Sequence, residues 1–311
     1  VSDKTGTITT GELNLVNMFV DNKTGSFQDL VEDQTGMNDK ILLRALSCSQ
    51  VQPHSQTGKL LKNDIAEERI LQFLFDKLPD NKLVRNDDLV KIKHLGEFRR
   101  VMHRPFDYLL GVKISVLEKD NGLMLHIQGT PESINTYCGN KLTNLLQQIQ
   151  KTPAPNNVYR RVIAHANKFI TPNELQQLNT NPKDVLHTMR HCTVYVFHDY
   201  VVDGVESAIK KINKNYDFTL LTGDKQSSAI EIGKTVGITT GNMQIFDLVS
   251  PIVTCDCAIV SGSLIDTLDY DRFKHLINIS KRRIIYRASP HTKQKYVNML
   301  QALNNGDVMM I

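Results

Sequence analysis

The last third of the chain alternates short apolar runs with segments of helical period. Residues 193–197 are apolar and rich in β-branched and aromatic side chains, which favours a strand. Over 203–214 the apolar positions Val205, Ile209 and Ile212 fall on one helical face. The short apolar run Phe218–Leu221 leads into Thr222-Gly223-Asp224, and residues 226–236 predict a helix closed by Gly237 as its cap. The same rhythm predicts a strand at 257–260, a helix over 264–279, a strand at 284–287, a helix over 292–303 and a last strand at 308–311. Such alternation predicts an α/β fold with a doubly wound parallel sheet, whose functional residues gather at the carboxyl ends of the strands.

Residues 18–190 follow another pattern. Strand-like runs at 113–117 and 123–127 stand among helical stretches at 39–50, 66–77 and 158–169, with polar linkers at 52–59 and 171–183. The mixture predicts an α+β domain inserted after the first strand of the sheet domain. The sheet domain is then discontinuous, residues 1–17 with 191–311, and no internal repeat is present.

A length of 311 residues suits about two domains, and 41 % hydrophobic residues suffice for a sizeable core. The 37 basic and 33 acidic residues leave a net +4 with no dominant basic block, so the charge gives no indication of a nucleic-acid partner. The short run Lys281-Arg282-Arg283 reads as a solvated helix end. No apolar run reaches the ~18–20 residues that span a bilayer, and no signal peptide opens the chain. Both ends read as cut. The five cysteines are odd in number and irregular in spacing, which predicts buried structural thiols in a reducing compartment. Cys255 and Cys257 lack the further ligands that a metal site needs.

The opening Val1-Ser2-Asp3-Lys4-Thr5-Gly6-Thr7-Ile8-Thr9 places a carboxylate before a turn rich in Gly and Thr, which combines a nucleophile with backbone donors for a phosphoryl group. The Asp3–Thr9 string resembles the phosphorylation motif of P-type ATPases, whose catalytic domain is similar to the haloacid-dehalogenase-like superfamily. The resemblance implies that Asp3 accepts phosphate from ATP, with Lys4 and Thr5 beside it. It implies that Thr222, Gly223 and Asp224 contact the phosphate and that Lys293, in Ser289-Pro290-His291-Thr292-Lys293, neutralises its charge. Arg287 matches a nucleotide-contacting position, and Asp3 with the Thr5 carbonyl matches two ligands of Mg2+. The family's Gly-Asp-Gly-x-Asn-Asp, which supplies a further metal ligand, would begin just after Ile311. A phosphatase of the superfamily carries a second Asp where Thr5 stands. Without that acid/base an acyl phosphate on Asp3 should persist, and this segment alone should turn over ATP poorly.

The resemblance extends into the middle segment, which it implies is a nucleotide-binding domain. Pro105-Phe106-Asp107 followed by Lys113-Ile114-Ser115-Val116 is similar to the stretch that carries the adenine-stacking phenylalanine. Phe106 takes that role, with Phe98 as the competing assignment. Glu67 matches an acidic contact. Gln128-Gly129-Thr130-Pro131-Glu132 resembles Lys-Gly-Ala-Pro-Glu, with Gln128 in place of the pocket lysine and Lys113 as the alternative cation. Tyr159-Arg160-Arg161-Val162 resembles a Gly-x-Arg-Val stretch, which places Arg161 toward the phosphates.

Asp199 and Val202-Asp203-Gly204-Val205, together with Leu221-Thr222-Gly223-Asp224-Lys225, resemble the lipid-flippase branch more than the cation pumps. The implied cofactors are ATP and Mg2+. The implied partners are membrane and actuator domains of the same polypeptide, with an accessory subunit as a further one. The implied location is a membrane protein with this segment on its cytoplasmic side. A cation-transporting P-type ATPase and a soluble dehalogenase-like phosphatase are the alternatives.

Overall fold

The computed structural model describes residues 1–21, 37–49, 64–77, 84–86, 89–92, 95–152, 155, 158–239, 241–246, 254–303 and 308–310. Among these the elements run β1 (Ser2–Asp3), β2 (Thr9–Val20), α1 (Met37–Cys48), α2 (Ile65–Lys77), β3 (Val84–Asn86), β4 (Leu89–Ile92), β5 (Gly96–Asp107), β6 (Val112–Lys119) and β7 (Gly122–Gly129). They continue with α3 (Pro131–Tyr137), α4 (Thr143–Lys151), β8 (Val158–Ile170), α5 (Pro172–Thr180), α6 (Pro182–Leu186), β9 (His191–Val201), α7 (Val205–Asn215), β10 (Phe218–Leu221) and α8 (Gln226–Thr235). The last are β11 (Met243–Ile245), β12 (Cys257–Ser261), α9 (Gly262–Thr267), α10 (Tyr270–Ile279), β13 (Arg282–Tyr286) and α11 (Pro290–Leu303). The chain forms two compact units, Val1–Glu12 with Pro155–Tyr159 and Asp199–Ile311, and Leu13–Ala154 with Arg160–His198. Three change-overs lie inside strands β2, β8 and β9 and the fourth falls between Ala154 and Pro155; the expected boundaries stood at 17/18 and 190/191.

The first unit holds a five-stranded sheet in the order β1-β10-β13-β12-β11, and every pairing in it is parallel. Its strand side chains alternate between two cores, as a period of two requires. Leu221, Ala258, Val260 and Ile285 pack with Phe273 and Leu276 of α10 and Tyr296 of α11. Leu220, Cys257, Ile259 and Ile284 pack with Ile209 of α7 and Ala229 and Ile232 of α8. Burial on both faces is why these strands read as unbroken apolar runs. Gly237, at φ +74°, closes α8. Its N–H donates to Lys234 O (3.2 Å) and that of Ile238 to Gly233 O (2.8 Å), a Schellman pair.

Several expectations fail in this unit. The run 193–197 belongs to β9, in the other sheet. The single helix expected over 264–279 is two. Leu268 ends α9 in extended backbone, and Asp269 caps α10 by accepting from Arg272 N at 2.9 Å. Residues 308–310 form no strand, although the Val1 ammonium donates to Met309 O at 2.8 Å; Ile311 lies outside the described residues. The short β11 went unread.

Arg283 is the clearest correction. It is no solvated helix end but a β13 residue 1 % exposed. Its guanidinium reaches Asp217 Oδ2 (2.7 Å), Thr219 Oγ1 (3.2 Å), Ile277 O (3.1 Å) and Ser280 O. Burial disfavours its charge, but the neighbouring Tyr296 and Asp217 outweigh that and raise its pKa. Arg283→Met should therefore destabilise the unit by about 1–3 kcal/mol, because it strands buried acceptors. Urea unfolding of the variant is the check, and an unchanged midpoint would refute this role.

The second unit is built on an eight-stranded sheet ordered β2-β9-β8-β7-β6-β5-β4-β3, with antiparallel pairing from β3 through β8. One face packs Ile114, Val116, Leu125, Ile127, Ala164 and Ala166 against α3–α6. The other packs Phe98, Leu117, Tyr195 and Phe197 against Ile41 and Leu42 of α1 and Ile70 and Leu71 of α2. The helix expected over 158–169 is instead β8, paired with β7 from Leu123↔Ile170 to Gly129↔Ala164. Ala164–Asn167 is buried throughout, so the alternation that marks a half-exposed strand is missing there. The linker expected over 171–183 contains α5 and α6. Thr171 and Glu174 form a reciprocal capping box, with Pro172 in the first turn. The linker expected over 52–59 lies outside the described residues. Among the described residues no helix is long and apolar enough to cross a membrane.

Candidate functional site

Strands β1, β10 and β13 lie side by side and parallel, with Ser2↔Leu220, Asp3↔Leu221 and Leu221↔Ile285 in register. Their carboxyl ends therefore deliver Asp3, Thr222-Gly223-Asp224 and Arg287 to one edge of the sheet. Lys293 comes from the first turn of α11, which follows β13. Its Nζ sits 2.5 Å from Asp3 Oδ2, and Lys4 N–H donates to Asp3 Oδ1 at 2.7 Å. Each carboxylate oxygen thus has a donor, while the side chain keeps 38 % exposure. A cation in a helix's first turn is electrostatically unfavourable by itself; here the partner is the Asp3 charge.

The turn after Asp3 folds back on the Lys4 carbonyl, which accepts from Ile8 N (2.9 Å) and Thr9 N (3.0 Å). Gly6 serves that turn at φ +80°. Asp199, almost fully buried, accepts from Thr9 Oγ1 (2.7 Å) and Gly11 N (3.2 Å) and anchors the far side of the loop. Thr5 stays exposed. Lys4 points inward: 3 % exposed, it pairs with Asp224 Oδ2 at 2.7 Å and lies 3.8 Å over the Tyr159 ring. The turn after β13 closes on that after β10, with Arg287 N donating to Asp224 O (2.8 Å) and Ala288 N to Thr222 O (2.9 Å). Arg287 takes φ +54° there, with its side chain exposed. Thr222 is buried and its Oγ1 accepts from Asp224 N at 3.1 Å. Gly223 lies at this junction; a Cβ built on it would stand 3.7 Å from Ala288 O.

The sequence matches no protein-family model and no curated protein.

The chemistry of the cluster rests on a half-exposed carboxylate beside a fixed ammonium, at strand ends where an α/β sheet collects its ligands. Asp3 and the Thr5 carbonyl are hard oxygen donors of the kind Mg2+ takes with waters and phosphate oxygens. Among the described residues no group of three or more His, Cys, Asp or Glu gathers for a metal.

The second unit brings together other expected residues. The register Val112↔Gly129↔Ala164 places Phe106, Lys113, Gln128 and Gly129 at one end of the sheet, with Arg161 just past Ala164. Lys113 Nζ bonds Asp64 Oδ2 at 3.0 Å and the Glu67 carboxylate. Asp64 also begins α2, accepting from Ala66 N at 3.0 Å. Burial would raise the Asp64 pKa, but Lys113, Arg161 and that N–H together lower it. Burial would lower the Lys113 pKa; Glu67 and Asp64 raise it. Gln128 pairs in register with Lys113 and with His165 and is buried. Gly129 is needed for close approach, since a Cβ there would meet Gly111 O at 2.1 Å. Phe106 is half-buried and meets Tyr108 edge-on at 5.2 Å, whereas Phe98 is buried in the core. Of the two aromatic rings proposed for stacking, Phe106 is the accessible one.

Beneath this end lie two histidines that periodicity did not single out. His126 and His165 are buried, with ring centroids 5.5 Å apart. Burial, then the charges of Arg44 and Arg100, lowers the His126 pKa to about 3; burial, then His126 and Arg44, lowers that of His165. Both are neutral in the fold and titrate near 6.5 when unfolded. Their contribution is thus intact above pH 6.5 and is lost as pH falls toward the folded value. The second unit should lose about 2 kcal/mol from His126 alone between pH 7 and pH 5. Urea unfolding at both pH values measures this. An equal loss in His126→Leu would assign the effect elsewhere.

Proposed function

We propose that Asp3 accepts the γ-phosphoryl group of ATP, and that the chain is the catalytic segment of a P-type ATPase with a dehalogenase-like doubly wound sheet. What carries this reading is the 2.5 Å contact between Lys293 Nζ and Asp3 Oδ2 beside Thr222-Gly223-Asp224. An Asp3 oxygen attacks the γ-phosphorus, the bond to the ADP oxygen breaks, and an acyl phosphate forms. Lys293 offsets the charge on the transferred oxygens. Lys4 holds Asp224 in place from within. Mg2+, held by Asp3 and the Thr5 carbonyl, would neutralise phosphate charge. Thr5 offers no carboxylate to activate water, so the acyl phosphate is long-lived, which suits a transport cycle and argues against a phosphatase.

In the same reading the second unit binds the nucleotide, with Phe106 against adenine and Glu67, Lys113, Gln128, Gly129 and Arg161 around it; Arg287 is a further contact. The partners are membrane and actuator domains. The Val202–Val205 string favours phospholipid over cation transport. The test is labelling of the protein from γ-phosphate-labelled ATP and Mg2+. The reading requires an acid-stable, hydroxylamine-labile label on Asp3.

A further inference from the structure

Cys138 caps the carboxyl end of α3, its N–H donating to Ile134 O at 2.9 Å. Cys192 is the second residue of β9 and is fixed on both backbone sides by Asp21. Its N–H donates to Asp21 Oδ1 (2.8 Å), and its carbonyl accepts from Asp21 N (2.8 Å). Met189 N donates to Tyr137 O at 3.0 Å, which ties the approach to β9 to the end of α3. Within this frame the two sulfurs lie 2.9 Å apart. A disulfide needs ~2.05 Å, so a small movement of two side chains would close the bond.

The pair also differs from the other cysteines in reactivity. The two thiols share a hydrogen bond in which either sulfur can donate, and Cys192 Sγ also lies 3.7 Å from the Arg190 carbonyl; the shared bond lowers the Cys192 pKa and raises that of Cys138. Burial and the Asp21 charge oppose the Cys192 thiolate, and Arg44 favours it. Burial instead pushes Cys48 and Cys257 up to about 12 and raises Cys255. Thiolate character governs attack on an oxidant, and the 2.9 Å contact gives this pair a partner sulfur within reach, unlike Cys48, Cys255 and Cys257.

We propose that Cys138 and Cys192 are a reversible dithiol–disulfide pair, oxidised by hydrogen peroxide or a comparably small peroxide. The Cys192 sulfur attacks one peroxide oxygen, the O–O bond breaks, and Cys192 becomes a sulfenic acid; the hydroxide takes the displaced proton and leaves as water. The Cys138 sulfur then attacks Cys192 Sγ. The S–S bond forms, the S–O bond breaks, and the hydroxide leaves with the Cys138 proton as a second water. Two electrons pass from the sulfurs to the peroxide. A small uncharged oxidant fits because Cys138 and Cys192 are only 1 % and 4 % exposed. The bond staples α3, which begins directly after Gly129-Thr130, to β9, and a reducing dithiol restores both thiols. None of this depends on the phosphoryl-transfer reading.

The experiment exposes the full chain to hydrogen peroxide, alkylates it with iodoacetamide and counts free thiols after denaturation. Peptides are then mapped without reduction. Thiols should fall from five to three, with one cross-linked peptide joining Cys138 to Cys192, and dithiothreitol should restore all five. Cys138→Ser should stop at a sulfenic acid on Cys192 that dimedone traps. Five surviving thiols, or oxidation centred on Cys48, Cys255 or Cys257, would overturn the proposal. If the variant does not fold, the wild-type peptide map decides by itself.

Discussion

Asp3→Asn should leave the protein folded and lower hydroxylamine-labile phosphate from ATP by at least about 10³-fold. The amide is nearly isosteric and keeps an acceptor for Lys4 N–H, which now bonds Asp3 Oδ1 at 2.7 Å. It carries no charge, and so it neither attacks the γ-phosphorus nor holds Lys293 as an ion pair. That pair is partly exposed, with side chains 21 % and 38 % accessible, so its loss should cost less than about 1 kcal/mol of stability. Lys293→Met supplies a graded companion. It keeps the nucleophile and removes the charge beside it, for which a loss of about 10²–10³-fold is expected. Rapid-quench labelling with melting curves for all three proteins separates chemistry from folding. Labelling of Asp3→Asn at the wild-type level would remove Asp3 from the reaction and with it the P-type reading.

Why some of this was legible in the sequence follows from what each residue answers to. Phe218–Leu221 is buried on both faces and short, so apolar content alone marked it. β8 is buried without a break only over Ala164–Asn167, where Ala164 and Ala166 face the core, and alanine carries no strand signal. Arg283 was misassigned because a run of three basic residues at 281–283 resembles a surface; only the approach of Asp217 and Thr219 makes burial tolerable. Asp3 and Lys293 stand 290 positions apart. No periodicity joins them; motif resemblance named both, and the parallel register brings their elements together. Asp199 anchoring Thr9, Tyr159 under Lys4, and the contact of Cys138 with Cys192 left no sequence signal, because each is a tertiary meeting of residues whose local patterns are ordinary.

Lys113→Met should destabilise the second unit by about 3–5 kcal/mol, the range for removing one partner of a buried pair. Glu67 is the reason: its side chain is 2 % exposed, and Lys113 is a cation bonded to it. With methionine at 113 the carboxylate either stays charged in a poorly solvated place or takes up a proton. Asp64 is less affected, because its 33 % exposure lets water replace the lost bond. A second change, Glu67→Gln, removes the buried charge that has lost this cation, so the double variant should recover most of the loss; urea unfolding measures both. The pair also separates scaffold from site. As a purely structural ion pair, Lys113 and Glu67 could be neutralised together with nucleotide affinity unchanged. In the proposed pocket Lys113 reaches the nucleotide and Glu67 holds that lysine in place, so the refolded double variant should still bind ATP at least about tenfold more weakly, since each ~1.4 kcal/mol is a factor of ten. Titration of the stable double variant with ATP decides between the two: wild-type affinity there would leave the ion pair as scaffold and move the adenine site elsewhere.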